Sequence, residues 1–210
     1  MSDEKLVYAG TIEALFQRAL ENRLTPACRM RLREAGLDLD QKLSPTYTHE
    51  QWRQFLRVAA DHIYAGMPVE AAYYSLGERF IDGYFSTLFG RALLGMVRLA
   101  GPRRALAQVR LGFRSSTNCS EVRVVEREST SMEVWLSDIM ADQPTFAAGV
   151  LARATELAGG QRVVAIPEGF DGRSATYHVR WSEQAEAVVG TELTARSAAG
   201  NSASAPRPPA

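Results

Sequence analysis

The side chains able to do chemistry are few and scattered. His49, His62 and His178 are the three imidazoles. His49-Glu50 begins like the two-histidine zinc motif of a single helix face, but Arg53 stands where the second histidine belongs. His49 and His62 fall on different faces of one helix, and His178 points to the strand face opposite Tyr177 and Val179. Solvated or internally satisfied imidazoles are therefore expected, and no metal site. Cys28 and Cys119 are too few for a disulfide framework and lie in no CxxC pair; inert buried thiols are expected, with Cys119 at a strand edge between layers. The chain has no G-x-S-x-G nucleophile elbow, P-loop or G-x-G-x-x-G fingerprint. No catalytic residue and no cofactor are expected, so the chain reads as a non-enzyme.

Two groups of residues point instead to binding. Tyr73, Tyr74, Phe80, Tyr84, Phe85 and Phe89 recur at helical spacing and form either plain core or the wall of an apolar cavity. Tyrosine suits such a wall, because it offers apolar area with one hydroxyl that needs a partner. Arg103, Arg104, Arg110 and Arg114 cluster around one helix and its exit. Guanidinium forks bind carboxylate or phosphate, although a solvated face or charges near a helix C-terminus give the same pattern. The stretch FRSSTNCSEVRVVE, from Phe113 to Glu126, joins a helical to an alternating pattern through a polar seam. Ser115, Ser116, Thr117 and Asn118 can satisfy the carbonyls of a helix end and so act as a hinge. The alternative is a pocket rim, with Phe113, Arg114, Asn118 and Arg123 at its edge.

These residues must be positioned by a helical half followed by a mixed half. Ile12, Leu15, Phe16, Ala19 and Leu20 repeat at helical spacing, with Thr11 placed to cap. Thr25-Pro26 opens a second helix that Gly36 closes, and Thr48 with Gln51 forms a capping-box pattern before Trp52, Phe55, Leu56, Ala59 and Ile63. Gly66 and Pro68 start the helix that carries Tyr73, Leu76, Phe80 and Phe85. A further helix with Leu93, Leu94, Met96 and Val97 stops at Gly101-Pro102, and a last one runs from Arg103 to about Leu111. After Asn118 the period changes to two, around Val122 and Val124, then Met132, Val134 and Leu136. A helix with Phe146, Val150, Ala154 and Leu157 on one face follows, and then the strands RVVAI and SATYHVRW around an Asp171-Gly172 turn.

Acidic and basic side chains cancel, with 24 of each, so no global field draws in nucleic acid or an anionic surface. Apolar runs are broken well before 18 residues, which argues against a membrane span. The N-terminus MSDEKLVYAG lacks a basic region followed by an apolar core, and with so few cysteines a cytoplasmic location is expected.

Within this frame EQWRQFLRVAADHIYAGMPVEAAYYSLGERF, FGRALLGMVRLAGPRRAL and FRSSTNCSEVRV resemble a myxobacterial paralogous family of about 200-residue proteins of unknown function, over Leu6 to Trp181. The order of elements is also similar, more distantly, to the haem-NO-binding (H-NOX) fold and its 4-vinyl-reductase-like relatives. That resemblance implies a helical layer packed on an αβ layer with a ligand between them, and sensing or binding as the activity. It also implies an axial histidine on the helix before the first strand and a Tyr-x-Ser-x-Arg propionate clamp. Here PRRALAQVRLGF contains no histidine, and Trp135-x-Ser137-x-Ile139 keeps only the serine. Haem held by that route is therefore not expected.

The expected fold is α+β: an N-terminal helical layer packed on a C-terminal four-stranded antiparallel sheet with one crossover helix. One two-layer domain spans 1–184, with its helical part over about 6–112 and its αβ part over about 119–182. The Ala-, Ser-, Gly-, Thr- and Pro-rich stretch 185–210 reads as a disordered tail. The function expected is a cytoplasmic sensor or binding domain for a small, mostly apolar molecule held between the layers. The alternative is a ligand-free interaction module whose partner is a regulatory protein or a second copy of the chain.

Overall fold

The computed structural model describes residues 4–183, apart from the side chain of Phe89. The tail read as disordered, 185–210, lies outside the described residues.

The helical layer starts with a short strand that periodicity does not reveal. β1 (Leu6–Tyr8) pairs antiparallel with β2 (Thr46–Thr48), Leu6 facing Thr48. α1 (Ala9–Ile12) widens without a break into π-type turns over Glu13–Ala19, and the Leu20 amide reaches back to the Leu15 carbonyl at 2.9 Å. Thr11, expected to cap this segment, is instead buried within it and donates its hydroxyl to the Ser116 carbonyl at 3.1 Å. α2 (Pro26–Glu34) is capped by Thr25, whose hydroxyl accepts from the Cys28 amide. α3 (His49–Ile63) carries the full Thr48–Gln51 capping box. Its buried stripe of Trp52, Phe55, Leu56 and Ala59 meets Phe16 and Tyr47 edge to face.

α4 (Val69–Ser86) is followed by α5 (Leu88–Ala107), α6 (Val109–Ser116) and the sheet. The run that carries Leu93 and Val97 ends at Gly101-Pro102 as the sequence predicts, and a second run starts there; the two together are called α5. Gly101 takes the left-handed conformation (φ 79°), and Pro102, which lacks an N–H, begins the second helical run at no hydrogen-bond cost. A further break at Gln108 splits the run expected from Arg103 to about Leu111, and α6 extends through Ser115 and Ser116, which the polar-seam reading placed outside the helix.

The αβ layer is the expected one. β3 (Val122–Glu128) and β4 (Ser131–Leu136) form a hairpin, α7 (Thr145–Leu157) crosses over, and β5 (Gln161–Glu168) with β6 (Ala175–Ser182) completes an antiparallel sheet in the order β3-β4-β6-β5. Met132, Val134 and Leu136 of β4 and Tyr177, Val179 and Trp181 of β6 alternate inward as period two requires.

The two layers lock where α4 crosses α7. A Cβ on Gly77 would stand 2.0 Å from the Phe146 carbonyl oxygen, and one on Gly149 would stand 2.1 Å from that of Tyr74. Each helix thus offers a glycine to the other's backbone, an approach that any larger residue forbids. Arg153 of α7 seals the crossing with a 2.7 Å hydrogen bond to Asp82 of α4.

Candidate functional site

Beyond that crossing, α4, α5, α6, α7 and the exit of β4 line a partly open cavity of about 300 Å³ between the helical and αβ layers. α4 supplies Phe80, Ile81, Tyr84 and Phe85, a spacing that puts all four on one helix face. α7 supplies Phe146, Ala147, Val150 and Ala154 by the same geometry, and Leu136, Ile139 and Met140 close the sheet end. α5 and α6 contribute a mixed wall, in which Leu93, Met96, Leu111 and Phe113 stand beside the small Ala100, Ala105 and Gly112. A cavity of about 150 Å³ with such an apolar lining stays dry and admits benzene, so this one has room for a guest of about two rings.

Polar groups at the wall are few. Ser116 donates to the Gly112 carbonyl, Ser120 to the Asp138 carbonyl, and the Ser137 hydroxyl accepts from the Glu121 amide, so all three serines are committed to the fold. Tyr84 and the exposed Arg104 and Gln108 are lining residues whose side chains make no hydrogen bond to another described residue. They are the groups left to orient a guest.

The structure brings Phe80, Tyr84, Phe85 and Phe113 together on the cavity wall. It places the other candidates elsewhere, each for a physical reason. Tyr73 lies on the same α4 stripe two turns earlier, about 10 Å along the axis, on the far side of the α7 crossing. There it is buried, and burial together with the Asp142 carboxylate pushes its phenol up to about 12. Tyr74 is rotated off the stripe, with its carbonyl against Gly149. Arg114 is exposed on α6. Arg123 lies on the outer face of the sheet, its guanidinium 4.7 Å from the Trp135 ring centroid. Asn118 is a clasp: its side chain accepts from the Leu6 amide (2.8 Å) and donates to the Glu4 carbonyl (2.9 Å), while Thr117 donates to the Leu6 carbonyl. The polar seam thus ties down the N-terminal strand, and only Ser116 and Ser120 reach the cavity. Gln108, Ile139, Met140 and Ala147 are lining residues that the sequence does not single out as such. For Ala147 the neighbouring Phe146, Val150, Ala154 stripe is a signal, but a stripe does not show whether it faces side chains or a void.

The arginine cluster also divides. Arg103 pairs with Glu126, Arg104 lines the cavity, and Arg110 and Arg114 face outward. Cys28 is buried, and burial pushes its thiol up; Cys119 is half-buried, 3.1 Å from the Thr117 hydroxyl.

A histidine-ligated haem does not match this lining. None of His49, His62 and His178 is on the cavity wall, and no group of three His, Cys, Asp or Glu suited to a metal ion is present among the described residues. His49 corrects a different expectation, since it is neither solvated nor satisfied. It is 9% exposed at the start of α3, and its Nε2 has no hydrogen-bond partner. Burial, reinforced by the Arg53 and Lys5 charges, pushes it down to about 4. Nearby Asp138 is held below the usual carboxylate range by hydrogen bonds from Arg173 and Lys5.

Solved structures similar to this chain include H-NOX proteins. The Fe(II) unliganded H-NOX protein from K. algicida aligns with a TM-score of 0.60 at 13% identity, over 83% of this chain and 96% of that one. An H-NOX protein from S. oneidensis, a triple mutant in the Fe(II) ligation state, gives 0.65 at 9% identity, over 85% and 98%. An oxygen-binding H-NOX domain related to soluble guanylate cyclases, in its oxygen complex, gives 0.55 at 10% identity, over 82% and 93%. No curated protein matches the chain. Residues 5–182 match the family described as Protein of unknown function (DUF2378), so the chain is a member of that family, and its architecture is H-NOX-like.

Proposed function

We propose that this chain is a non-enzymatic sensor or ligand-binding domain that holds a small, mostly apolar molecule between its two layers. The observation that carries this reading is the cavity of about 300 Å³ at the layer interface, walled by Phe80, Phe85, Phe113 and Phe146. Desolvation of such a wall supplies affinity, and the few uncommitted polar groups supply orientation. Arg104 and Gln108 suit a guest with an acidic or hydrogen-bonding head. The H-NOX neighbours are described with Fe(II) or bound oxygen; for this chain the reading is a guest without histidine-ligated haem, because the wall offers no imidazole. Sensing follows if the guest binds one packing of α5 and α6 against the αβ layer better than another.

Native mass spectrometry of protein purified from its own host tests the reading. A reproducible mass excess that disappears on denaturation is expected, as is its loss in Leu93→Trp, where the larger side chain fills the void. A clean apo mass, with no thermal shift from apolar carboxylates, bicyclic aromatics or tetrapyrroles, would instead favour a ligand-free interaction module.

A further inference from the structure

The four most exposed large apolar side chains among those described are Leu99 (90%), Leu88 (81%), Met96 (61%) and Leu111 (61%), and all belong to α5 and α6. On α5, Leu88, Ala92, Met96 and Leu99 fall within an arc of about 80°, since each residue turns the helix by about 100°. That arc faces away from the protein, the reverse of ordinary amphipathicity, in which leucines face the core. Met96 and Leu111 also line the cavity, so the outer faces of the two helices meet at its mouth.

The charge on this surface is as one-sided as its apolarity. Residues 83–120 contain Arg91, Arg98, Arg103, Arg104, Arg110 and Arg114 and no Asp or Glu, although the whole chain is neutral. Arg103 pairs with Glu126; the other five make no ion pair with a described carboxylate. Arg91 and Arg98 flank the leucine arc on one side, and Arg110 and Arg114 flank Leu111.

We propose that the outer face of α5 and α6 is a docking surface for an anionic lipid bilayer. Leucine and methionine side chains would enter the boundary between headgroups and acyl chains, while the arginines meet lipid phosphates. Charge complementarity selects this occupant. A second copy of the same face would set arginine against arginine with no carboxylate between them. A nucleic acid would use the guanidinium groups but leave Leu88 and Leu99 in water. No helix of the described residues is long and apolar enough to cross a membrane, so the association is peripheral. The proposal does not depend on a guest in the cavity, although docking would turn the cavity mouth toward the bilayer.

Flotation of the full chain with vesicles tests it. The chain is expected to float with vesicles of equal parts phosphatidylglycerol and phosphatidylcholine, to remain behind with pure phosphatidylcholine, and to be released by high salt. Arg91→Gln combined with Arg98→Gln should weaken binding roughly thirty-fold, at about fivefold per arginine. Leu99→Glu should abolish flotation. Both variants should melt like the parent protein, because the altered side chains lie outside the core. Failure of the parent to float with anionic vesicles overturns the proposal, as does flotation unaffected by these substitutions. Conversion of a dimer to a monomer by Leu99→Glu, or retardation of a DNA fragment, without vesicle binding would also overturn it, assigning the face to a second copy or to nucleic acid.

Discussion

Two aromatic-rich regions meet at Phe146, and only one is filled. On the first, Phe16, Trp52, Phe55 and Phe146 meet edge to face, with ring centroids 6.1 to 6.3 Å apart, and Trp52 and Phe55 are fully buried. On the second, Phe80, Tyr84, Phe85 and Phe113 surround about 300 Å³ of void. Aromatic content is therefore not what decides packing. The first region receives Leu15, Phe16 and Leu20 from the segment after β1, whereas the second faces α5 and α6, whose Met96 and Leu111 stay largely exposed and whose Ala100, Ala105 and Gly112 reach in little. Large side chains interdigitated from both sides make a core; a wall that leaves large side chains in solvent leaves space.

This contrast can be broken or sharpened by substitution. The largest effect is expected for Trp52→Ala, which opens a new hole in the filled region and should cost about 4 kcal/mol, lowering Tm by about 12 °C. Phe85→Ala, whose ring already lacks neighbours on its cavity side, should cost about half as much, and equal losses would contradict the comparison. The next effect is a pH dependence confined to the filled region. His49 sits near 4 in the folded state and near 6.5 when unfolded, so between these values the unfolded chain binds a proton that the folded chain refuses. Stability is thus complete above about pH 6.5 and should fall as pH drops toward 4, by on the order of 3 kcal/mol. Denaturant titrations across that window should show this slope, and it should flatten in His49→Phe. At the boundary between the regions, Gly77→Ala drives a methyl group into the Phe146 carbonyl and should cost about 2 kcal/mol by chemical denaturation. The smallest effect is expected in the void itself. Val97→Phe should change stability by less than about 1 kcal/mol, although an equal enlargement at buried Ala59 should cost about 3 kcal/mol.

Much of the fold was legible because its signals are local. The Thr48–Gln51 capping box, the Thr25-Pro26 start and the alternation of β4 and β6 each state their element within a few residues. β1 and β2 were not legible, since three residues are too few to show a period. Gly101-Pro102 states a helix end within two residues, a left-handed glycine followed by a proline that opens the next run. The aromatic wall could be read from helical spacing as far as Phe80, Tyr84 and Phe85, but spacing gives a face and not its depth along the axis. Tyr73 shares that face and is still on the far side of the crossing. The polar edge was harder, because helical spacing around Arg104 and Gln108 does not show which residues of the run meet the cavity. Asn118 had the right chemistry for a rim, but its hydrogen bonds go to the backbone of a strand 112 residues away.

The mutual glycine contact between α4 and α7 has a mechanical consequence. With backbone against backbone at that joint and Arg153 bonded to Asp82 across it, α4 and α7 form the more tightly tied of the cavity's walls. A guest bulkier than the available space must therefore push against the opposite side, where α5 bends at Gly101 and carries much of its surface in solvent. Deformation is channelled into the one wall that the arginines and bare leucines also mark.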